Sequence, residues 1–381
     1  MKDVIQVSHK QLTMIVDRCF TTKLPMWVHG TFGVGKSSII EAFGRAYAEK
    51  HGLKFVRSAK DCSDDTFAVI VIPLHQFDVG EIKGLMVPNY ERKTAEYFTT
   101  DLLPMKGLGI IFFDEGNGAF PAVQKNMYQL LEERKLGDYY VPEGFLVIGA
   151  GNTMTDRAGV NEMDMPLKNR VAHVELMIPL VSNYGHPERT GWIEDYASTH
   201  NINKYIQYFL MFRDDLLHNY NPDSIEEDLT VIATPRTWEK ASKQIDGIEF
   251  IESNYPMLEM FIGSFVGASI GKNVIDFVRM SKTYDIAKIY KTRHVDVPTE
   301  TSEKYALIAA ISSYYEKLKD KESAEALLEI IFQFDDEHAV LLLRNAIEVT
   351  PNMLIDLLEI KTAAKLVGKA SEKYIKLLGA A

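Results

Sequence analysis

Residues 30–37 read GTFGVGKS, after the apolar run MWVH at 26–29 and before the helix-forming stretch SIIEAFGRAYAEK at 38–50. Strand, glycine-rich loop and helix, in that order, form the context in which G-x-x-x-x-G-K-[ST] grips phosphate. The glycines let the backbone turn its N–H groups inward, and the following helix offers its positive end to the same anion. Lys36 is then placed to neutralise the β and γ phosphates, and Ser37 to ligate Mg²⁺. The expected nucleotide-binding set is Gly30, Gly33, Val34, Gly35, Lys36, Ser37 and Ser38. The competing reading is a glycine-rich turn that happens to carry Lys-Ser.

A second stretch, IIFFDE at 110–115, is an apolar strand ending in two carboxylates. A buried strand has no reason to end in acids unless they face a site at the carboxyl edge of its sheet. Asp114 is the expected second Mg²⁺ residue, and Glu115 is placed to orient and polarise an attacking water; the alternative is a solvated strand end. In FLVIGAGN at 145–152, Asn152 likewise follows an apolar strand. Adjacent parallel strands deliver their ends to one crevice, so Asn152 is a sensor candidate whose amide could hold the water between Glu115 and the γ phosphate, set against a plain turn-forming asparagine.

Three arginines complete the candidate set. Arg157 lies in TDRAG, and Arg170 in PLKNRVAHVEL sits immediately before another apolar strand. An arginine at such a rim can reach a phosphate held by a neighbouring subunit, and the alternative for either is a surface ion pair. Arg236 in ATPRTWE stands in the first turn of a helix behind Pro235. There it would contact the γ phosphate and report hydrolysis as lid movement, unless it is an ordinary helix start.

Working outward, five apolar runs alternate with amphipathic stretches over the first half: Met26–His29, Val69–Pro73, Ile110–Phe113, Leu146–Ala150 and Ala172–Leu176. This predicts an α/β core with a five-stranded parallel sheet over residues 1–182. After Leu180 the spacing turns helical, with Ile193, Tyr196, Ala197 and His200, then Tyr205, Tyr208, Phe209 and Phe212. A helical lid is expected over 183–290. The polar stretch KTRHVDVPTETSE then leads into an all-helical C-terminal region over 291–381, where Ile308, Ile311, Tyr315 and Leu318 mark one helix face and Thr350-Pro351 reads as a helix start.

The chain has 381 residues, long enough for two or three compact units, and its 46% hydrophobic and 25% charged content is that of a folded globular protein. Its 42 Lys and Arg against 53 Asp and Glu give a net charge of −11, which disfavours a nucleic-acid partner. Two cysteines, Cys19 and Cys62, make no disulfide framework and no metal spacing. The start MKDVIQVSHKQ lacks the apolar core of a secretory signal, and no run of about 18 apolar residues occurs, so a cytoplasmic protein without a membrane span is expected.

Together, GTFGVGKS, IIFFDEGNGAFPAVQKNMYQLLEERKLG, FLVIGAGNTMTDRAG, MPLKNRVAHVEL and ATPRTWE resemble the MoxR-like branch of the AAA+ P-loop ATPases, within the dynein-related type. The resemblance covers about residues 8–245. It implies Walker A roles for Lys36 and Ser37, Walker B roles for Asp114 and Glu115, sensor 1 for Asn152, an arginine finger for Arg170 and sensor 2 for Arg236. FDVGEIKGLMVPN and TAEYFTTDLLP look like the hairpin insertion that this branch carries before Walker B and turns toward a ring pore. Gly118 departs from the basic residue common there. The likeness implies ATP and Mg²⁺, a homo-oligomer in the form of a hexameric ring, and remodelling of a protein client, often one with a von Willebrand factor A domain. Two other readings stand beside it: a nucleotide-gated scaffold with slow hydrolysis, and a DNA-acting motor or restriction subunit.

Overall fold

The computed structural model describes residues 4–152, 168–178, 191–220, 231–354 and 357. They divide into two compact units, the first drawn from the described residues up to Tyr196 together with Tyr220 and Thr234–Arg236, and the second from the other described residues.

The first unit is built on a parallel sheet of seven strands: β1 (Ile5–Val7), β2 (Met26–His29), β3 (Lys54–Val56), β4 (Thr66–Pro73), β7 (Leu108–Asp114), β10 (Phe145–Gly151) and β11 (Ala172–Leu176). Their order across the sheet is β1-β11-β2-β10-β7-β4-β3, and every neighbouring pair is parallel. All five expected strands are present, and the two additional ones, IQV and KFV, form the edges. Each is only three residues long, and β1 leaves Ile5 69% exposed, so neither has the apolar run that marks an interior strand.

Alternation along the central strands feeds two cores. Ile110 and Phe112 of β7 join Leu146 and Ile148 of β10 on one face, covered by α1 (His9–Thr22) and α2 (Lys36–His51). Ile111 and Phe113 turn the other way, with Val147, and meet Val123, Met127, Leu130 and Leu131 of α4 (Pro121–Glu133). Burying each such side chain contributes roughly 1.5–3 kcal/mol. A sheet covered on both faces leaves its strand ends as the place where polar groups can gather. Helix α1 starts at a reciprocal cap, in which the Ser8 hydroxyl accepts from the Gln11 N–H and the Gln11 side chain accepts from the Ser8 N–H.

Between β4 and β7 lie a short helix, α3 (Val79–Lys83), and an antiparallel hairpin, β5 (Leu85–Asn89) and β6 (Thr94–Phe98), where the sequence predicted an insertion. A smaller hairpin, β8 (Lys135–Leu136) and β9 (Tyr139–Tyr140), follows α4. The two hairpins are linked where the Tyr97 N–H donates to Asp138 Oδ2 at 3.5 Å, and the Lys83 ammonium of α3 lies 4.5 Å over the Tyr97 ring.

In the described residues the second unit is helical: α5 (Lys204–Phe212), α6 (Pro235–Gln244, whose first two residues group with the first unit), α7 (Tyr255–Val266), α8 (Ala268–Ser281), α9 (Ile286–Thr292), α10 (Thr301–Leu318), α11 (Lys321–Ile331) and α12 (Asp336–Val349). The boundaries expected at 182 and 290 differ from this division. The first unit extends to Tyr196, and α10, expected in a separate C-terminal block, packs on α5 and α8 of the expected lid. The reason is the helix face that carries Ile308, Ile311 and Tyr315, all fully or almost fully buried; Leu318, assigned to the same face, is 41% exposed at the helix end. Residues 351–354 are helical after Thr350, as Thr350-Pro351 suggested. Among the described residues no helix is long and apolar enough to cross a membrane.

Candidate nucleotide site

The sheet register places the phosphate loop and both acids together. His29 at the end of β2 pairs with Gly151 at the end of β10, and Phe113 of β7 pairs with Gly149 of the same strand. Gly30, Asn152 and the Asp114-Glu115 pair therefore leave three adjacent strands at one edge, the carboxyl edge at which open parallel sheets bind ligands.

In the loop, Gly33 (φ 75) is left-handed, and a Cβ there would meet Thr234 Oγ1 at 2.7 Å, so both the backbone angle and the space call for glycine. Gly35 (φ 94) caps α2. Lys36 is buried, and its ammonium donates to Gly30 O at 2.7 Å, Thr31 O at 3.0 Å and Asn152 Oδ1 at 3.0 Å. The lysine thus ties the loop to the sensor candidate. Val34 is buried and Ser38 is exposed. The Ser37 hydroxyl donates to Asp114 Oδ2. Those two oxygens, one hydroxyl and one carboxylate, form the hard donor set that suits Mg²⁺, which takes its remaining ligands from water and phosphate. No group of three His, Cys, Asp or Glu side chains among the described residues offers a different metal site.

Glu115 adopts a left-handed backbone (φ 52), its N–H donates to Asp114 Oδ1 at 3.0 Å, and its carboxylate meets His75 Nδ1 at 2.8 Å. His75 belongs to the one-turn helix Leu74–Gln76 that follows β4, the strand beside β7. Sequence reading missed it, since only strand pairing brings it to the acid. Gly118, where a basic residue was the family pattern, is exposed, and a Cβ there would meet nothing nearer than His75 Cβ at 3.8 Å.

Beneath the loop, His29 Nε2 lies 2.9 Å from His173 Nδ1, and His173 Nε2 lies 2.8 Å from Lys168 O. The carbonyl can only accept, so His173 donates to it from Nε2 and accepts from His29 through Nδ1. Burial, with His173, Lys168 and Lys36 nearby, pushes the His29 pKa down to about 4, which keeps this imidazole neutral beside the phosphate loop.

The arginines fare differently. Arg170 forms an ion pair with Glu132 of α4, and both side chains are partly exposed, at 49% and 37%. In this chain it is therefore a rim residue held by a carboxylate. Arg236 is exposed, and its backbone N–H donates to Gly33 O at 3.3 Å, so the start of α6 is fastened to the phosphate loop. Arg157 lies outside the described residues. The other residue missed from sequence is Asn117, buried in the turn after Glu115 and bonded to the backbone of Asn152. The only available hint was a polar side chain inside the glycine-rich DEGNGA.

The sequence matches no family profile and no curated protein. Solved structures similar to it include NtrX from Brucella abortus in complex with ADP, at 13% identity over 82% of this chain and 66% of that one, with a TM-score of 0.34. AMPPCP-bound DnaA from Aquifex aeolicus is 14% identical over 95% of this chain and 92% of its own, with a TM-score of 0.30. A RuvB variant from Thermotoga maritima is 13% identical over 81% and 93%, also with a TM-score of 0.30. These likenesses are distant, and the chemistry assigned to the site rests on the residues of this chain.

Proposed function

We propose that the chain is an ATP-hydrolysing machine of the AAA+ class and the MoxR-like type, which assembles as a ring and remodels a partner protein. The observation that carries the hydrolytic reading is the meeting of Lys36, Ser37, Asp114 and Asn152 at one sheet edge. With nucleotide bound, Lys36 would exchange its loop carbonyls for phosphate oxygens, and Ser37 and Asp114 would hold the Mg²⁺. When bound, that ion neutralises charge on the phosphates. Glu115 takes a proton from the attacking water, and Asn152 orients the groups around the γ phosphate. Arg170 reaches the site of a neighbouring copy, and Arg236 links the site to lid movement.

Assembly into a hexamer and a client with a von Willebrand factor A domain are extended from the sequence resemblance. Two features support a protein client. The β5–β6 hairpin exposes Leu85, Met86, Tyr90 and Phe98, and the net charge of −11 opposes a phosphate backbone. One observation favours the slow scaffold as a second reading: the Glu115 carboxylate is engaged by His75.

Phosphate release by the wild type and by Glu115→Gln decides between them. Hydrolysis that falls about 100-fold in the variant fits loss of a general base. Near-equal, slow release from both proteins would leave the scaffold. A severalfold, salt-sensitive stimulation by DNA would replace the protein client with a nucleic acid.

A further inference from the structure

Strand β10 ends at Gly151, so the ladder no longer holds the Asn152 backbone. Its polar groups are met by a side chain. The Asn117 Nδ2 donates to Asn152 O at 2.8 Å, and the Asn152 N–H donates to Asn117 Oδ1 at 3.1 Å. One carboxamide thus closes both hydrogen bonds that a neighbouring strand would have supplied.

The fit around this pair is tight. Asn117 is 8% exposed. A Cβ on Gly151 would come within 2.4 Å of Asn117 Oδ1, so glycine there admits the carboxamide. Asn117 is itself anchored, because Gln124 Nε2 donates to Ala119 O at 2.9 Å and to Asn117 O at 3.4 Å. The Tyr128 hydroxyl in turn donates to Gln124 Oε1 at 2.5 Å. A chain of bonds runs from α4 through the turn after the acids to Asn152, whose Oδ1 holds Lys36.

We infer that Asn117 is a positioning residue for the hydrolysis proposed above: it fixes the Asn152 backbone and so aims the Asn152 side chain at Lys36 and the γ phosphate. Asparagine suits this task because one planar group donates and accepts side by side. Aspartate keeps only the acceptor and sets a carboxylate against the Asn152 carbonyl. The inference rests on the nucleotide-hydrolase reading, but its geometric content is testable without turnover.

The test uses the full chain carrying Asn117→Ala, Asn117→Asp, Gly151→Ala or Asn117→Ala with Gly151→Ala. Hydrogen exchange at the Asn152 amide, read without nucleotide, rises about ten-fold in Asn117→Ala when its acceptor is removed. In turnover, kcat falls about ten-fold in Asn117→Ala and in Asn117→Asp, while ATP affinity stays within about three-fold. Gly151→Ala displaces the carboxamide and lowers kcat to a similar degree. The double variant is no worse than either single one, because both act through one contact. Unchanged amide exchange overturns the inference whatever the turnover. So do an unchanged kcat, equal losses in affinity and kcat, or losses that multiply in the double variant. An inactive wild type with the predicted exchange pattern instead overturns the hydrolase reading, and with it the catalytic purpose of the contact.

Discussion

His29 shows how one side chain can set a pH window for the whole first unit. The unfolded chain binds a proton at this imidazole near its ordinary value of 6.5, whereas burial, His173, Lys168 and Lys36 hold the folded value at about 4. Between those values the unfolded state carries more protons, so stability increases with pH through the window and is complete above its upper end. On acidification the contribution is lost progressively, by about 2 kcal/mol at about pH 5. Urea unfolding of the wild type is therefore expected to shift to lower midpoints from about pH 7 to about pH 5. His29→Gln, which cannot take up a proton there, is expected to show a shallower decline. Equal slopes in the two proteins would remove His29 as the cause. Nothing in MWVH announced this role, since the effect comes first from burial in the folded unit and then from His173, on a strand far along the sequence.

Among the elements, α12 illustrates a start whose cap does three jobs. Asp335 accepts from the His338 N–H at 3.2 Å, from His338 Nδ1 at 2.6 Å and from Lys304 Nζ at 2.9 Å. Desolvation works against its charge, but these bonds outweigh it and hold the carboxyl well below the ordinary carboxylate range. With its folded pKa depressed, Asp335 contributes stability above the unfolded value and loses it only as the pH falls through the folded one, below the window of His29. Asp335→Ala is expected to cost roughly 1–2 kcal/mol, and Asp335→Asn less because the cap acceptor survives. Urea midpoints that rank the two variants equally would show that the cap bond is not the main term. The same contrast explains what could be read in advance. Strands such as IIFFD and FLVIGAG were legible because a strand buried on both faces needs an unbroken apolar run, and the acids and Asn152 were legible because they interrupt it. The three-residue edges lack such a run. His75 and Asn117 gain their meaning from strand pairing and a turn, which residue spacing does not encode.

At the scale of the whole molecule, the described chain holds a phosphate loop and its acids in one compact unit, while Arg170 lies on the rim of that unit, paired with Glu132. If catalysis is completed by a neighbouring copy, as proposed, the two ends of each interface can be disabled separately. Arg170→Ala keeps its own loop intact, so it is expected to bind nucleotide and yet lose turnover. Lys36→Ala is expected to lose binding at its own loop while still presenting Arg170 to its neighbour. In an equal mixture, an interface that joins an Arg170→Ala loop to the Arg170 of a Lys36→Ala copy contains both working parts. Random assembly into a closed ring makes about one interface in four of this kind, so phosphate release is expected to recover to about a quarter of the wild-type rate. Light scattering and mass measurement of the mixed oligomer establish that both variants share one ring. Recovery near a quarter, absent from either variant alone, places Arg170 across the interface. No recovery in a demonstrated mixed ring would return Arg170 to the ion pair with Glu132 as its whole role, and would leave each copy to hydrolyse on its own.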